Sequence, residues 1–339
     1  MIETGLFALG NEQKKEQWAL SAELVAVLVA VNGGEPSVLT THCARALPAG
    51  VLQTEHRSLQ NGLRLWVEQL TGYRLGYVEQ LYTFADKGRA YLTGGRVISV
   101  SYLALTLDSE QPQHADVGWQ LWYGYFPWED WRQGKPTLLS DYIEPRLRAW
   151  IASCADHKER ERRAQRVCLA YGLDGFSWNE EMVLQRYELL YEADLVPEAE
   201  RDHILYEHGL HHDLDEELWL ENHAQHPLGR PMRFDHRRIL ATGIARLRAK
   251  IKYRPVVFEL MPDAFTLLQL QTAIEALAGR VLHKQNFRRL VEQQNLVEET
   301  GQYANVSAGR PPKLFRFRGD VILERSIAGT KLPLARQPR

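Results

Sequence analysis

Residues 265–295, FTLLQLQTAIEALAGRVLHKQNFRRLVEQQN, contain two amphipathic segments separated by a short turn. The first opens with Thr266-x-x-Gln269, a pattern in which the two side chains cap free backbone N–H groups at the start of a helix. Gly279 follows the last apolar residue, in the position where glycine commonly ends a helix. The apolar residues between these ends recur at helical spacing and predict one buried face: Leu267, Leu270, Ile274 and Leu277.

The second segment, residues 283–295, predicts a helix with a strongly polar face. Two short strands follow, LVEET and KLFRFR, with the loop GQYANVSAGRPP between them. Helix, turn, helix and hairpin is the plan of a winged helix, whose second helix can fill the DNA major groove. Residue types that suit purine edges and phosphates make seven residues candidates for DNA contact: Lys284, Gln285, Asn286, Arg288, Arg289, Arg310 and Lys313.

An alternative explanation of the second segment is a solvated helix face without a partner. Phe287, Leu290 and Val291 lie at the spacing of core residues, so part of this helix is expected to pack inward in either case. The surplus of side chains that suit DNA favours a binding surface.

Charge is distributed unevenly along the chain, although its formal net charge is only -2. Residues 230–339 hold 21 Lys/Arg and 9 Asp/Glu, a net charge of +12, whereas residues 1–229 hold 20 and 34, a net charge of -14. Such a division is typical of a polyanion-binding module attached to an acidic body. The alternative is that the two parts attract each other.

The N-terminal part alternates between strands and one helix. ELVAVLVAV (residues 23–31) predicts a buried strand, and PSVLTTH predicts its hairpin partner. SLQNGLRLWVEQL predicts a helix that ends at Gly72, and GYVEQLYTF and RVISVSYLALTL predict two more strands. GWQLWYGYFPW is expected to be an aromatic strand, which completes a mixed α/β core.

From Thr137 onward the pattern becomes helical. Three segments predict amphipathic helices: LLSDYIEPRLRAWIA, KERERRAQRVCLAYG and WNEEMVLQRYELLYEADL. A further strong helix is predicted over residues 235–253, with Asp235 as its N-cap residue.

The sequence contains no apolar run long enough to cross a bilayer. The longest, residues 24–31, is eight residues, and no basic segment precedes it as in a secretory signal. The three cysteines share no motif spacing, which favours reduced thiols in a cytoplasmic protein without membrane contact.

Residues 235–318 resemble the C-terminal half of the Nudix-related transcriptional regulators of NAD metabolism, the NrtR-like repressors. GYVEQLYTFADKGR and RVISVSYLAL resemble the N-terminal half of that family. FPWEDWRQGKP and QRYELLYEADLVPEAE, with the helical insertion around them, resemble its NadQ group, which represses de novo NAD synthesis in alphaproteobacteria. The resemblance implies an α/β, Nudix-like mixed sheet domain with a helical insertion, followed by a C-terminal winged helix-turn-helix domain.

The segment that corresponds to the Nudix box lacks the carboxylates of a working enzyme. That box, G-x5-E-x7-R-E-U-x-E-E-x-G-U (U aliphatic), uses glutamates to hold Mg²⁺ against a diphosphate. Aligned from Gly50, the first Glu position is His56, Arg64 matches, Leu65 replaces the next Glu and the last pair is Glu68-Gln69. Aligned from Gly72, that pair is Gln69-Leu70. Because neither register keeps adjacent glutamates, we expect no catalytic residues and no bound metal or cofactor.

The retained pocket is expected to sense a nucleotide instead of cleaving it. Arginine binds phosphates through paired hydrogen bonds and aromatic rings stack on adenine, although a surface arginine is often only solvated and Phe84 could belong to the core. The candidates for effector binding are Arg45, Arg57, Arg64, Tyr82, Phe84, Arg89 and Arg96. The resemblance implies an adenine nucleotide; it favours ATP, with NAD and ADP-ribose as the alternatives.

Six histidines lie among acidic residues: His203, His208, His211, His212, His223 and His226. The spacing His208-x2-His211 could supply two metal ligands. No CxxC or HExxH motif accompanies it, and structural zinc sites usually include cysteines. A solvated acidic loop is therefore the better prediction for this segment.

Together these observations predict an effector-sensing domain over residues 18–253, with a helical insertion near 137–232, and a winged helix over residues 254–325. A homodimer is expected, because two-fold protein symmetry matches a palindromic operator in double-stranded DNA. The main alternative is an active Nudix pyrophosphohydrolase, acting on ADP-ribose or NAD, with a nucleic-acid-binding tail.

Overall fold

A computed structural model describes residues 20–72, 75–85, 96–107, 116–207, 215–305 and 311–318. Six strands form one mixed sheet with the order β4-β5-β1-β2-β6, and β3 also pairs with β1. β1 and β5 run parallel, and the other pairs are antiparallel. The strands are β1 (Leu20–Asn32), β2 (Glu35–Thr40), β3 (Ala49–Val51), β4 (Val78–Phe84), β5 (Arg96–Leu105) and β6 (Gly118–Leu121). The predicted hairpin and the two later strands are confirmed.

The central strand β1 is buried on both faces, which explains its continuous apolar sequence. Leu24, Ala26 and Leu28 lie in a core with helix α1 (Leu59–Thr71), whereas Val25 and Val27 lie in a larger core with the helical part of the chain. Alternate residues of a strand point to opposite faces, so one strand serves both cores.

Helix α1 begins and ends where its sequence predicts. The Ser58 hydroxyl accepts a hydrogen bond from the Asn61 N–H (3.2 Å). Gly72 has a φ of 76°, the left-handed conformation, and its N–H donates to the Glu68 carbonyl. Leu63 and Val67 are buried against the sheet. The predicted glycine C-cap is confirmed.

The predicted aromatic strand is largely wrong. Only Gly118–Leu121 pairs in the sheet, and short 3-10 turns follow at Trp122–Gly124 and Pro127–Glu129. Tyr125 and Phe126 are both fully buried in the same core, whereas a strand would direct neighbouring residues to opposite faces. Tertiary burial of consecutive aromatic rings has overridden their strand propensity.

The next part of the chain is helical, and the three predicted helices are confirmed. They follow a π-helical turn at Leu139–Ile143 and are α2 (Glu144–Ala152), α3 (His157–Tyr171) and α4 (Val183–Glu192). The predicted acidic loop is wrong for the residues that the structure describes, because they form α5 (Pro197–Glu207) and α6 (Glu216–Asn222). Trp219 and Leu220 on α6 are buried, which anchors this acidic segment. His208, His211 and His212 lie outside the described residues.

Helix α7 (His236–Tyr253) crosses the sheet and leads to the C-terminal elements. It approaches β1 closely at Gly243, where a Cβ atom would lie 2.8 Å from the Val27 side chain. Asp235 precedes the helix as predicted, but its carboxylate makes no capping bond. The carboxylate lies instead 3.6 Å from the Arg238 guanidinium, so Asp235 holds the predicted N-cap position without a side-chain capping bond.

The C-terminal elements have the order and shape of a winged helix. A 3-10 turn at Val256–Leu260 precedes α8 (Leu267–Ala278), α9 (Lys284–Gln293), β7 (Val297–Tyr303) and β8 (Lys313–Phe317). The capping box of Thr266 and Gln269 is present, and Gly279 ends α8 in the left-handed conformation. The Phe265 backbone pairs with Phe315, which adds a third short segment to the β7–β8 hairpin.

Candidate functional site

Helix α9 presents its DNA-suited side chains together on one exposed surface. Phe287 and Val291 are buried and fasten the helix to the domain. The other residues from position 284 to position 289 are exposed: Lys284, Gln285, Asn286, Arg288 and Arg289. The structure therefore brings together five of the seven candidates for DNA contact.

The hairpin carries one further candidate cation. Lys313 is exposed, and its ammonium group lies 2.8 Å from both carboxylate oxygens of Glu299. Exposed pairs of this kind contribute little to stability, so the lysine can exchange its partner for a phosphate at small cost. Arg310 lies outside the described residues.

The winged helix is held against the rest of the protein by a buried carboxylate. Glu129 accepts hydrogen bonds from Arg186 (2.6 Å) and from Arg248 on α7 (2.6 Å), and all three side chains are buried. Arg248 also donates to the Leu277 carbonyl at the end of α8 (3.0 Å). Burial raises the pKa of Glu129, but the two guanidinium groups lower it further, so it stays below its usual value of 4.5.

A second contact links the sheet to the end of α7. The Lys250 ammonium donates to the Tyr77 hydroxyl (2.8 Å) and pairs with Glu79 on β4, which also accepts from Tyr77. Burial and the adjacent Glu79 raise the pKa of the Tyr77 hydroxyl well above its usual range. A displacement of β4 would therefore move Lys250 on α7, which lies three residues before that helix ends.

The Nudix-box segment keeps its loop and helix but carries a different chemistry at the metal positions. His56 stands at the first glutamate position, and its Nδ1 accepts a hydrogen bond from the Gln53 N–H (3.2 Å). Its ring packs over Gly62, where a Cβ atom would be 2.6 Å from Nδ1. Among the residues that the structure describes, no group of three or more His, Cys, Asp and Glu side chains could hold a metal ion.

Some candidates for effector binding are exposed to solvent, whereas others are bonded or buried within the protein. Arg57 and Tyr82 are exposed, and Arg45 is partly exposed in an ion pair with Glu217 on α6. Arg64 donates to the carbonyl oxygens of Leu75 and Gly76, which joins α1 to the segment before β4.

Phe84 is buried in the larger core, where its ring contacts Tyr82 edge to face at 5.1 Å. The ring is only 5% exposed, so it supports Tyr82 and offers no free face to a base. Arg89 lies outside the described residues; the structure describes Arg96 only as the first backbone position of β5.

The two polar clusters around Glu129 and Lys250 were not predicted from the sequence. Their members lie far apart in the chain, so spacing could not group them. One signal was present: Glu129 stands beside Asp130 within an aromatic run, and buried acids are rare unless they are paired.

Residues 257–317 match the family model described as the NrtR DNA-binding winged helix domain. A curated protein, the ADPR responsive transcriptional repressor NtrR of Acinetobacter baylyi, is 40% identical over 84 residues, which are 25% of this chain and 33% of that protein. The match therefore spans about a third of the curated relative's length.

Solved structures resemble the chain over most of its length. NrtR from Shewanella oneidensis gives a TM-score of 0.52 at 18% identity, covering 92% of this chain and 98% of that chain. The same protein complexed with a 27mer DNA gives 0.51 at 19% identity, covering 88% and 94%. The chain thus shares the fold of these NrtR structures, and the predicted fold class, a Nudix-like mixed sheet domain followed by a winged helix, is confirmed.

Among the described residues, no helix is long and apolar enough to cross a membrane.

Proposed function

We propose that this protein is a DNA-binding transcriptional repressor whose Nudix-like domain senses an adenine nucleotide without cleaving it. The observation that carries the proposal is the surface of α9. Five exposed side chains that suit DNA stand on a helix whose opposite side is anchored by Phe287 and Val291. Lys and Arg neutralise phosphates, and Asn, Gln and Arg pair with purine edges in the major groove.

The balance of charge supports a polyanionic partner. The net charge of +12 over residues 230–339 provides the electrostatic attraction that most DNA-binding domains use. Some of these cations cannot contact DNA, because Arg237 and Arg248 are buried in ion pairs within the protein. The cations on α9 are exposed and remain accessible to phosphates.

The loop and helix of the Nudix-like domain support nucleotide binding without hydrolysis. The frame is intact, because Ser58 caps α1 and Gly72 ends it. The carboxylates that would hold Mg²⁺ are replaced by His56, Leu65 and Gln69 when the segment is aligned from Gly50. A metal-assisted attack of water needs several oxygen ligands around the ion, and this segment does not supply them.

The effector in our proposal contains an adenosine diphosphate group. Tyr82 would stack on the base, and Arg57 and Arg45 would bind phosphates, the latter by releasing Glu217. The NadQ-like features of the sequence favour ATP, whereas the name of the curated relative favours ADP-ribose. Calorimetry with ATP, NAD, ADP-ribose and, as a control, GTP shows which of these nucleotides the protein binds. The variant Tyr82→Ala should weaken the nucleotide that binds, whereas Leu121→Ala, at another exposed apolar side chain, should not.

The target in our proposal is a palindromic operator before genes of NAD biosynthesis, bound by a homodimer. The decisive measurement is a gel shift with that promoter, at a stated salt concentration because phosphate contacts make affinity depend on salt. The full-length protein should bind it at least tenfold more tightly than a shuffled DNA of equal length. Equal affinity for the two DNAs would contradict the proposal.

Hydrolysis is the property that separates this proposal from the alternative of an active pyrophosphohydrolase. We expect release of AMP from ADP-ribose and NAD, and of phosphate from ATP, to stay at background with Mg²⁺ or Mn²⁺. An active Nudix hydrolase assayed in parallel serves as the positive control. A turnover near ~1 s⁻¹, ordinary for an enzyme, would establish the alternative.

A further inference from the structure

A cleft of about 850 Å³ opens beside α9, on the side that carries its buried anchors. Three parts of the chain form its walls: the loop at residues 177–181, the end of α7 with the turn that follows, and the winged helix. Sites for small molecules usually have volumes of ~300–1,000 Å³ and a mainly apolar lining with a few polar groups. The cleft has this size, and most of its lining residues are apolar.

Helix α9 and its N-cap residue give the cleft an apolar floor and a polar rim. Phe287 is a buried lining residue and Leu290 is a half-buried one. His283, Asn286 and Arg289 also border the cleft, and they are exposed. Residues three apart are neighbours on a helix surface, so these polar side chains follow one another along one edge. The cleft can therefore hold an apolar body that carries a polar group at the rim.

The charges around the cleft leave one cation in excess. The described lining residues include three cations and two acids, a net charge of +1 with histidine neutral: Lys252, Arg280, Arg289, Glu180 and Glu181. Lys252 lies 2.8 Å from Glu180 and 2.6 Å from Glu181. Arg280 lies 3.5 Å from Glu180. The two acids are thus paired with the first two cations, and the excess charge of the lining is that of Arg289.

The apolar lining and the single excess cation together define the chemistry of a suitable ligand. An apolar body that leaves water for the cleft gains free energy in proportion to its area. A guanidinium pairs with an acid group through short, charge-assisted hydrogen bonds. A nucleoside triphosphate would bring several charges that one arginine does not compensate, and an uncompensated charge is costly to remove from water. The cleft therefore favours a ligand with one negative charge over a nucleotide.

We propose that this cleft is a ligand site for an amphipathic monoanion, whose apolar body fills the cleft and whose acid group binds Arg289. The ligand would contact α9 and the loop at residues 177–181 at the same time. Arg45, Arg57 and Tyr82, which are candidates for nucleotide binding, do not border the cleft. The site is therefore separate from the proposed nucleotide site.

Occupation of the cleft has a consequence for DNA binding, which rests on the proposed function. Asn286 and Arg289 border the cleft and are also candidates for DNA contact. A guanidinium that binds the acid group of the ligand is not available to a phosphate or a base. The loss of one charge-assisted contact corresponds to roughly a tenfold loss of affinity. We therefore expect the ligand to weaken operator binding.

A matched pair of fluorescent probes tests the site in the full-length protein. Anilinonaphthalene sulfonate has an aromatic body and a single acid group, and phenylnaphthylamine has the same ring system without the acid group. Fluorescence titration should show saturable binding of the sulfonate, with one molecule per chain, and several-fold weaker binding of the neutral probe. The absence of saturable binding, or one sulfonate for two chains, which would place a second copy of the chain at the cleft, would overturn the proposal.

Paired variants locate the bound probe. Arg289→Gln should weaken sulfonate binding roughly tenfold but change binding of the neutral probe by less than about twofold, because only the acid group contacts this side chain. Arg288→Gln, at an exposed neighbour that does not border the cleft, should change neither. Equal losses of sulfonate binding in the two variants, or equal losses of both probes in Arg289→Gln, would contradict the assignment.

A second pair of variants tests the apolar part of the site. Val281→Asp, at a cleft residue that is 64% exposed, should weaken the binding of both probes. Leu268→Asp, at an apolar residue of α8 that is 59% exposed and does not border the cleft, should weaken neither. Unchanged binding in Val281→Asp would show that the probes bind elsewhere.

A gel shift with the operator distinguishes a failure of this site from a failure of the proposed function. Saturating sulfonate should lower the operator affinity of the wild type roughly tenfold and leave that of Arg289→Gln unchanged. Unchanged affinity of the wild type would refute the competition with DNA. If the protein binds no operator but the probe titrations give the expected results, the proposed function fails and the ligand site is supported.

Discussion

At the residue scale, the side chains that anchor α9 to the domain differ from those that it exposes to solvent. Phe287 is 6% exposed and Val291 is 7% exposed, so these residues hold the helix in place. Arg288 and Arg289, directly after Phe287, are exposed. Substitutions at the two arginines can therefore change DNA binding without disturbing the fold.

Arg288→Ala and Arg289→Ala should each weaken operator binding by about 1–3 kcal/mol if the arginine contacts a base. Gln293→Ala, an exposed residue at the other end of the same helix, is the control and should bind like the wild type. Titration by gel shift or fluorescence anisotropy gives the affinities. A double arginine variant with wild-type affinity would exclude α9 as the recognition helix.

His236 is a buried histidine that stays neutral in the folded protein. The Leu47 N–H donates to its Nδ1 (3.0 Å), and burial, reinforced by Arg233, lowers its pKa from 6.5 to about 3. His236 therefore binds a proton below about pH 6.5 in the unfolded chain, but only below about pH 3 in the folded protein. Stability is present above the unfolded pKa and falls as the pH drops through this window.

Because of His236, we expect the free energy of unfolding to fall by up to about 1.4 kcal/mol for each pH unit below the pKa of the unfolded chain. His236→Asn keeps an acceptor for the Leu47 N–H but cannot titrate, so it should flatten the dependence of unfolding free energy on pH between 6 and about 4. Urea unfolding at several pH values measures this. His157→Asn, at a histidine whose side chain is 76% exposed, is the control; an equal flattening there would contradict the assignment.

At the element scale, the C-terminal end of α8 is the docking point of the winged helix. Its carbonyls accept from Tyr123 (Ala276, 2.6 Å), from Arg248 (Leu277, 3.0 Å) and from the Trp131 N–H (Gly279, 2.7 Å). These bonds satisfy carbonyl groups that a helix end leaves free. Arg248 also binds Glu129, so one buried guanidinium both caps the end of α8 and holds the winged helix against the rest of the protein.

Gly279→Ala should destabilise the protein more than an ordinary glycine substitution does. Gly279 has a φ of 71°, and an added Cβ would overlap the Glu129 carbonyl oxygen and crowd the Tyr123 hydroxyl. Gly33→Ala is the matched control, because Gly33 has a φ of 56° but nothing lies within 4 Å of its added Cβ.

Both alanine variants carry the strain of a left-handed residue, roughly 1 kcal/mol. We expect Gly279→Ala to lose at least ~1 kcal/mol more than Gly33→Ala in urea unfolding, because the overlap adds to that strain. Equal losses for the two variants would show that the docking contact at α8 is loose.

At the scale of the whole molecule, α7 connects the two proposed functions. It packs on the sheet at Gly243, binds β4 through Lys250 and holds α8 through Arg248. A nucleotide that displaces β4 can therefore reorient the winged helix, provided that it binds the two arrangements with different affinity.

We expect the nucleotide effector to release the operator. A tenfold loss of operator affinity requires about 1.4 kcal/mol of coupling, within the usual range for allosteric proteins. Linkage demands the reciprocal effect, so operator DNA should weaken nucleotide binding by the same factor. Calorimetry of the nucleotides with and without operator measures both sides.

The double variant Arg288→Ala and Arg289→Ala is the control for this coupling. It should keep its nucleotide affinity, and operator DNA should no longer change that affinity. If neither ATP, NAD nor ADP-ribose binds the free protein at millimolar concentration, the Nudix-like domain has no sensing role.

The sequence by itself determined the elements whose causes are local. The capping box of Thr266, the left-handed glycines at 72 and 279, and the helical spacing around Phe287 depend on neighbours within about four residues, so their pattern is visible in the chain. The loss of the Nudix glutamates could also be recognised directly, because it concerns which residues are present and not where they lie.

Only the tertiary structure decided the features that join distant residues. The run after Leu121 leaves the sheet because Tyr125 and Phe126 are buried in one core, a constraint set by α4, α7 and the winged helix together. The pairing of Glu129 with Arg186 and Arg248 spans 57 and 119 residues, and the burial of Phe84 likewise depends on packing across the sheet. Burial and long-range pairing are properties of the folded arrangement, and no spacing within a segment encodes them.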